Sequence, residues 1–249
     1  LGARRFASFD AEELYDFTES RPAVRITARG EREVTWPSND FFYARNPTGP
    51  HDVVVFIGTE PGLRWNSFAR EQAGLFKDLE AEVVLSLGAL LADVPHTRPV
   101  RVTGSAMRPE LNDRYNLQPS KYEGPTGIVG VLHEALRTSD VASASLWANV
   151  PHYITTSQNP PATAALLRRV HPILGMELDL AELETAGGRF KAQVDTALSA
   201  YPEVGDYVRR LEEAFDADDQ PPPPGDLPQG EDLVTDIEKF LRSQRPEDE

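Results

Sequence analysis

Val53 to Leu90 reads VVVFIGTEPGLRWNSFAREQAGLFKDLEAEVVLSLGAL, and its hydrophobic pattern changes period twice. Val53 to Ile57 is a continuous apolar run rich in β-branched residues, the signature of a strand covered on both faces of a sheet. Gly58-Thr59-Glu60-Pro61-Gly62 interrupts it. From about Asn66 to Glu80 the apolar residues Phe68, Leu75, Phe76 and Leu79 return at helical spacing, which predicts an amphipathic helix with these four as its inner stripe. Glu82 to Leu90 is a second strand-like run. Strand, helix and strand at this spacing predict a β-α-β unit with parallel strands and a right-handed crossover, and so an α/β fold.

Outward from this unit the alternation continues. Toward the N-terminus, Asp10-Ala11-Glu12-Glu13 offers a cap and a first acidic turn for a short helix. Ala23 to Ala28 and Arg32 to Trp36 then alternate about Arg29-Gly30, which predicts a β-hairpin with a polar outer face ending at Pro37. Toward the C-terminus, strands are expected at Val100 to Thr103 and Ala142 to Leu146, with a helix from Thr126 to Leu136 between them. Pro160-Pro161 begins a further helix through Leu174, preceded by Ser157 and Asn159 as caps. Helices from about Leu180 to Ala200 and Glu203 to Ala217 complete the expected α/β domain, residues 1–217. Residues 218–230, with four consecutive prolines, read as an acidic extended linker. Residues 231–249 read as a short amphipathic helix and tail, with Leu233, Ile237, Phe240 and Leu241 on one face.

Composition narrows the functions available. Of 249 residues 40% are hydrophobic and 26% charged, as in an ordinary globular protein, and there is no cysteine, which excludes disulfides and thiolate metal sites. The net charge is −15. Residues 203–249 carry 15 acidic and 5 basic side chains, a net −10, leaving −5 for the first 202. An acidic chain forgoes the counterion release that drives binding to a phosphate backbone, so no nucleic-acid partner is expected. No apolar stretch has the length of a membrane span and no signal-peptide core opens the chain, so no membrane partner is expected and the cytoplasm is the expected compartment.

One near-repeat stands out. Leu91-Ala92-Asp93-Val94-Pro95-His96 and Trp147-Ala148-Asn149-Val150-Pro151-His152 each follow a predicted strand. In an open parallel sheet ligands gather beyond the carboxyl ends of the strands, so both corners mark one edge as the working face. Glu60, Arg64, Asp93, His96, Arg98, Glu123, Asn149 and His152 are the candidate cleft residues, suited to acid-base work on an anionic or sugar-like ligand. The bland reading makes the same corners rigid turns whose polar groups hold loops. Gly124, Thr126 and Gly127 open a helix whose free amides suit an anion. Their G-x-x-G-x-x-G spacing matches neither a dinucleotide fingerprint nor a P-loop, and no cofactor is expected. A metal on Asp93, His96 and His152 is disfavoured for want of ligand spacing. His133-Glu134 lacks the second histidine of a zinc-protease helix, and no G-x-S-x-G elbow supplies a serine nucleophile.

DVVVFIGTEPGLRWNSF, LGALLADVPHTRPVRVTG, YEGPTGIVGVLHEA, SLWANVPHYI and NPPATAALLRRV together resemble the PAC2 family, named for a proteasome assembly chaperone, in its actinobacterial branch. The resemblance covers roughly Ala3 to Tyr207. It implies a three-layer α/β/α fold with a mostly parallel sheet, similar to nucleoside phosphorylases, plus C-terminal helices. It also implies a homo-oligomer, with a trimer favoured. By this resemblance the chain is expected to be a non-catalytic interaction or assembly-chaperone-like protein, its partners itself and proteasome subunits or another cytoplasmic protein. The alternative is a small-molecule enzyme of nucleoside phosphorylase or hydrolase type at the strand ends. Family chains usually begin with an additional strand, a Gly-Trp-Asn-Asp-Ala-Gly loop and a helix, which this sequence starts beyond, so a strand and part of a cleft are expected to be missing. Docking through a C-terminal hydrophobic-Tyr-any tripeptide is not expected of a sequence ending Pro246-Glu247-Asp248-Glu249.

Overall fold

A computed structural model describes residues 2–218 apart from 48, 121, 155, 157 and 200, with residues 202 and 203 described in their backbone alone. The predicted linker beyond Asp218 and the predicted helix at 231–249 lie outside the described residues.

The described strands form three sheets. In the first, β1 (Arg4–Ser8), β4 (Asn39–Ala44) and β5 (Val53–Gly58) run in the order β1-β4-β5, every pair antiparallel. The second is the hairpin of β2 (Ala23–Ile26) and β3 (Arg32–Thr35). The third, in the order β6-β8-β7, pairs β6 (Val84–Ala92) parallel to β8 (Ser143–Pro151), with β7 (Val102–Ala106) antiparallel to β8 on its other side. One ladder is parallel and four are antiparallel, so the fold is mixed α/β and the expectation of a mostly parallel sheet is corrected. The β-α-β unit is corrected with it. Its helix is present as α2 (Trp65–Asp78), but β5 pairs with β4 and β6 with β8. The reason is β4, a partner that the sequence reading passed over. Its connection to β5 is pinned by Asp52, whose carboxylate accepts from Tyr43 Oη at 2.5 Å and from the Asn46 backbone N–H at 3.1 Å.

Helices cover the third sheet on both faces. α4 (Ile128–Thr138) lies with α2 on one side; Phe41, Ala69, Ala73, Phe76, Ala135, Leu136 and Val141 form the core there. α5 (Pro160–Leu174) covers the other, where Ala144 and Leu146 of β8 meet Leu166 and Val170. Asn159 caps α5 by accepting from the Ala162 N–H at 3.1 Å, as the sequence suggested. Asp10 caps α1 (Ala11–Leu14) in the same way, accepting from Glu12 N–H at 2.9 Å. Leu79, placed on the inner stripe of α2 by spacing, instead follows the helix as its C-cap and is 44% exposed. α3 (Pro109–Tyr115) was not anticipated. α6 (Ala181–Leu198) and α7 (Pro202–Ala217) pack around Tyr153 and Ile154, with Val194, Leu198, Val204, Tyr207 and Leu211 completing that core.

The β2–β3 hairpin departs from expectation on its surface. Both strands are exposed throughout, and Val24, Ile26, Val34 and Trp36 are each between 46% and 68% exposed. Of these, Trp36 makes an edge-on contact with Phe17 at 4.9 Å.

Candidate functional site

The structure brings five of the eight candidate residues to one corner and sends three elsewhere. Asp93, His96 and Arg98 follow β6, while Asn149 and His152 lie at the end of β8; β6 and β8 are in register from Val84↔Ser143 to Ala92↔Pro151. The two Pro-His corners are therefore neighbours, because equal steps along two parallel strands end at the same level.

Their polar groups are turned inward. His96 is 5% exposed at its side chain and lies against Tyr153 and Asp195. Tyr153 Oη accepts the His96 backbone N–H at 3.0 Å and lies 2.9 Å from Nδ1, while Nε2 lies 3.0 Å from the Asp195 carboxylate. One tautomer satisfies this network. The tyrosine donates to Nδ1 and the Nε2–H donates to Asp195. Burial holds His96 below the ordinary imidazole range, against the pull of Asp195 toward the charged form. Burial likewise pushes the Tyr153 phenol above its ordinary range.

Asp93 accepts from Tyr207 Oη on α7 at 3.1 Å. His152 Nδ1 lies 3.2 Å from the same carboxylate oxygen but makes no aligned hydrogen bond, so that contact is electrostatic proximity. Burial, with the Asp93 charge adding to it, pushes the Tyr207 phenol up to about 12. The rings of His96, His152, Tyr153 and Tyr207 meet edge-on at centroid distances of 5.6–6.3 Å. Arg98 grips α7 with a two-pronged bond to Asp216 at 2.7 and 2.8 Å, and bonds Glu212 at 2.9 Å. Arg101 lies 4.0 Å above the Phe215 ring and donates to its carbonyl at 3.1 Å. The recess beside His96 and Asn149 has a volume of about 20 Å³, room for one water rather than a ligand. Asp195, Tyr207, Glu212 and Asp216 were missed by the sequence reading, since nothing local ties them to residues about a hundred positions away.

The other three candidates are dispersed. Arg64 pairs with Glu13. Glu123 is exposed on the loop before α4. Glu60 lines a different and larger cavity, and its Oε1 accepts the Ile128 backbone N–H at 2.9 Å. That amide opens α4, where Gly124, Thr126 and Gly127 were candidate anion ligands. An incoming anion would meet the Glu60 carboxylate in its place. The glycines have packing reasons as well. A Cβ on Gly130 would fall on the Thr126 hydroxyl, and one on Gly127 would lie 3.3 Å from Glu60 Oε1.

The larger cavity is a cleft of about 590 Å³ between the end of β5, the start of α4 and the α4-facing side of the third sheet. On that side three serines align across the strands: Ser86 of β6 pairs with Ser145 of β8, which pairs with Ser105 of β7. Ser105 and Ser145 hydroxyls are 3.2 Å apart. His133 of α4 stands over the row, with Nε2 2.8 Å from Ser86 Oγ and Nδ1 2.9 Å from Ser143 Oγ. Burial lowers its pKa, which keeps it neutral. Trp147 lies across Gly88, where an added Cβ would fall 2.4 Å from the indole ring. Among the described residues, no three His, Asp or Glu side chains are placed to hold a metal ion.

A family model described as the PAC2 family matches residues 1–198. The chain is similar to the crystal structure of a PAC2 family protein from Streptomyces avermitilis, 42% identical with a TM-score of 0.72, over 78% of this chain and 83% of that one. It is similar to a proteasome-assembly chaperone homologue from Mycobacterium tuberculosis, 38% identical with a TM-score of 0.73, over 83% of this chain and 87% of that one. The likeness to PbaB of Pyrococcus furiosus, an archaeal proteasome activator, is one of fold alone: 19% identity and a TM-score of 0.58, over 78% and 82% of the two chains. No curated protein matches the chain.

Proposed function

Because the chain belongs to the PAC2 family, we propose that it is a non-catalytic interaction protein of assembly-chaperone type, acting in the cytoplasm as a homo-oligomer, a trimer first, on proteasome subunits. The observation that carries this reading is the use made of the strand-end corners. His96, Asp93 and Arg98 are spent on holding α6 and α7, and the recess beside His96 admits no substrate. The enzyme alternative therefore draws no support from that edge. The surface supports an interaction role instead. β6 forms one edge of its sheet, and Leu87, Leu90 and Leu91 along it are 48–63% exposed. An unpaired edge beside exposed leucines is a template for a partner's strand or apolar face, and the apolar hairpin residues offer a second surface for an oligomer to cover. The α4 and α5 layers on the two faces of the third sheet fit the α/β/α arrangement that this reading carries.

The test is direct. Light scattering after size exclusion should give an oligomer at about 10 μM, and the chain should co-elute with purified actinobacterial proteasome α or β subunits, an affinity that an interface of ordinary size supports. Replacing Leu90→Asp and Leu91→Asp together should abolish co-elution while leaving the melting temperature within a few degrees, since both side chains are solvent-facing. A monomer that co-elutes with neither subunit refutes the reading.

A further inference from the structure

The serine-lined cleft is unexplained by the assembly role and stands apart from the strand-end corners. Its volume of about 590 Å³ is in the range of small-molecule sites. Its floor is unusual for a sheet face under a helix. Ser145 is 9% exposed on β8, the middle strand of its sheet, where an apolar side chain would pack as well and need no partner. Each hydroxyl has one donor and two acceptor positions, and the single Ser105–Ser145 bond uses one donor of the pair. Ser120 and Thr126 add hydroxyls at the rim, and Met107, Ile128 and Val129 supply apolar wall. Trp147 adds an indole to the wall, its ring occupying the space that a side chain at Gly88 would take. Among the described lining residues there is no lysine or arginine, His133 is held neutral, and the one charge is the Glu60 carboxylate, fixed at the rim by Ile128 N–H. Such a wall repels anions, offers an aromatic surface to a ring face, and accepts hydrogen bonds from hydroxyls.

We propose that this cleft binds a small uncharged ligand that combines a ring face able to lie on an indole with a vicinal hydroxyl pair, with Trp147 as the stacking surface, Glu60 as the acceptor for the hydroxyl pair, and Ser105 and Ser145 as the floor contacts. Two sources share that chemistry, a nucleoside and a simple glycoside. The site does not depend on the proteasome reading, because it is tested on the chain alone.

Isothermal titration of the full chain with adenosine and, separately, with methyl β-D-glucopyranoside decides the matter, with inorganic phosphate as the contrasting probe. Saturable binding at millimolar or tighter affinity is expected for at least one organic probe and none for phosphate. Binding of adenosine alone identifies a nucleoside, and binding of the glycoside alone identifies a sugar; either supports the site. Glu60→Gln, which keeps an acceptor for Ile128 N–H, should weaken binding about tenfold or more. Ser105→Leu should remove a floor hydroxyl, obstruct the floor beneath the ligand and weaken binding about tenfold or more, and Thr126→Val at the exposed rim gives a second reading if Ser105→Leu does not fold. Failure of both organic probes to bind at about 10 mM, preference for phosphate, or binding unchanged in Glu60→Gln and in whichever of the other two variants folds overturns the proposal. Proteasome co-elution measured on the same variants keeps the two conclusions separable.

Discussion

Tyr153→Phe isolates the bonds that make the His96 corner a structural joint. Tyr153 is 1% exposed, and its ring stays in the core formed with Val194, Leu198 and Tyr207, so the substitution removes one oxygen and little packing. That oxygen serves two buried partners, the His96 backbone N–H at 3.0 Å and Nδ1 at 2.9 Å. Leaving a buried polar group without its partner costs about 1–3 kcal/mol each, so the loss for the two should be about 2–6 kcal/mol. For a chain of this length that corresponds to a fall in melting temperature of roughly 4–24 °C. Urea titration followed by circular dichroism measures it through the midpoint, with the slope unchanged. His96→Ala in the same background should show a coupling of about 1 kcal/mol or more with Tyr153→Phe, because the two residues share one network. A loss under about 0.5 kcal/mol, the size of an ordinary surface change, or strict additivity of the pair, refutes the claim that Tyr153 holds the corner.

Burial lowers the pKa of both His96 and His133 from the ordinary 6.5. Between the lowered native values and 6.5 the unfolded chain carries protons that the native one does not, so stability is fully present above 6.5 and falls as pH drops below it. Urea midpoints between pH 8 and pH 5 (roughly the span over which histidines titrate) should decline on the acid side, and His133→Gln should flatten the decline; a flat profile in the wild type contradicts the burial argument. Gln72 is 1% exposed on α2, and both its amide atoms lack a hydrogen-bond partner among the described residues. Gln72→Leu, of similar volume, should therefore stabilise the chain by about 1–2 kcal/mol, and a lowered urea midpoint would contradict it.

Much of the element order was legible in the sequence because period and punctuation are local. Val53 to Ile57, the helix after Trp65 and the strand ending near Leu90 declared themselves by apolar spacing, and Asn159 before Pro160-Pro161 announced α5 by capping chemistry. β4 did not. Asn39 to Ala44 is a short aromatic segment between prolines, and it becomes a strand by pairing with β5 on one side and β1 on the other. The candidate site was half legible for a similar reason. Repeated Pro-His corners could be seen in the sequence and do lie together, but whether they face a cleft depends on α6 and α7 arriving from about a hundred residues away. Ser86, Ser105, Ser143 and Ser145 left only a faint signal, serines at alternate positions in otherwise apolar strands. Their alignment needs the register of three strands.

Local sequence thus determined where the chain turns helical or extended and which residues end its strands, because those choices depend on neighbours within a few positions. It also determined the family, through motifs that keep their order along most of the chain. Pairing and exposure were decided by the tertiary structure. Which strand β5 joins, whether His96 is a ligand or a joint, and which serines share a floor all depend on contacts between distant segments, whose energies no window of sequence contains.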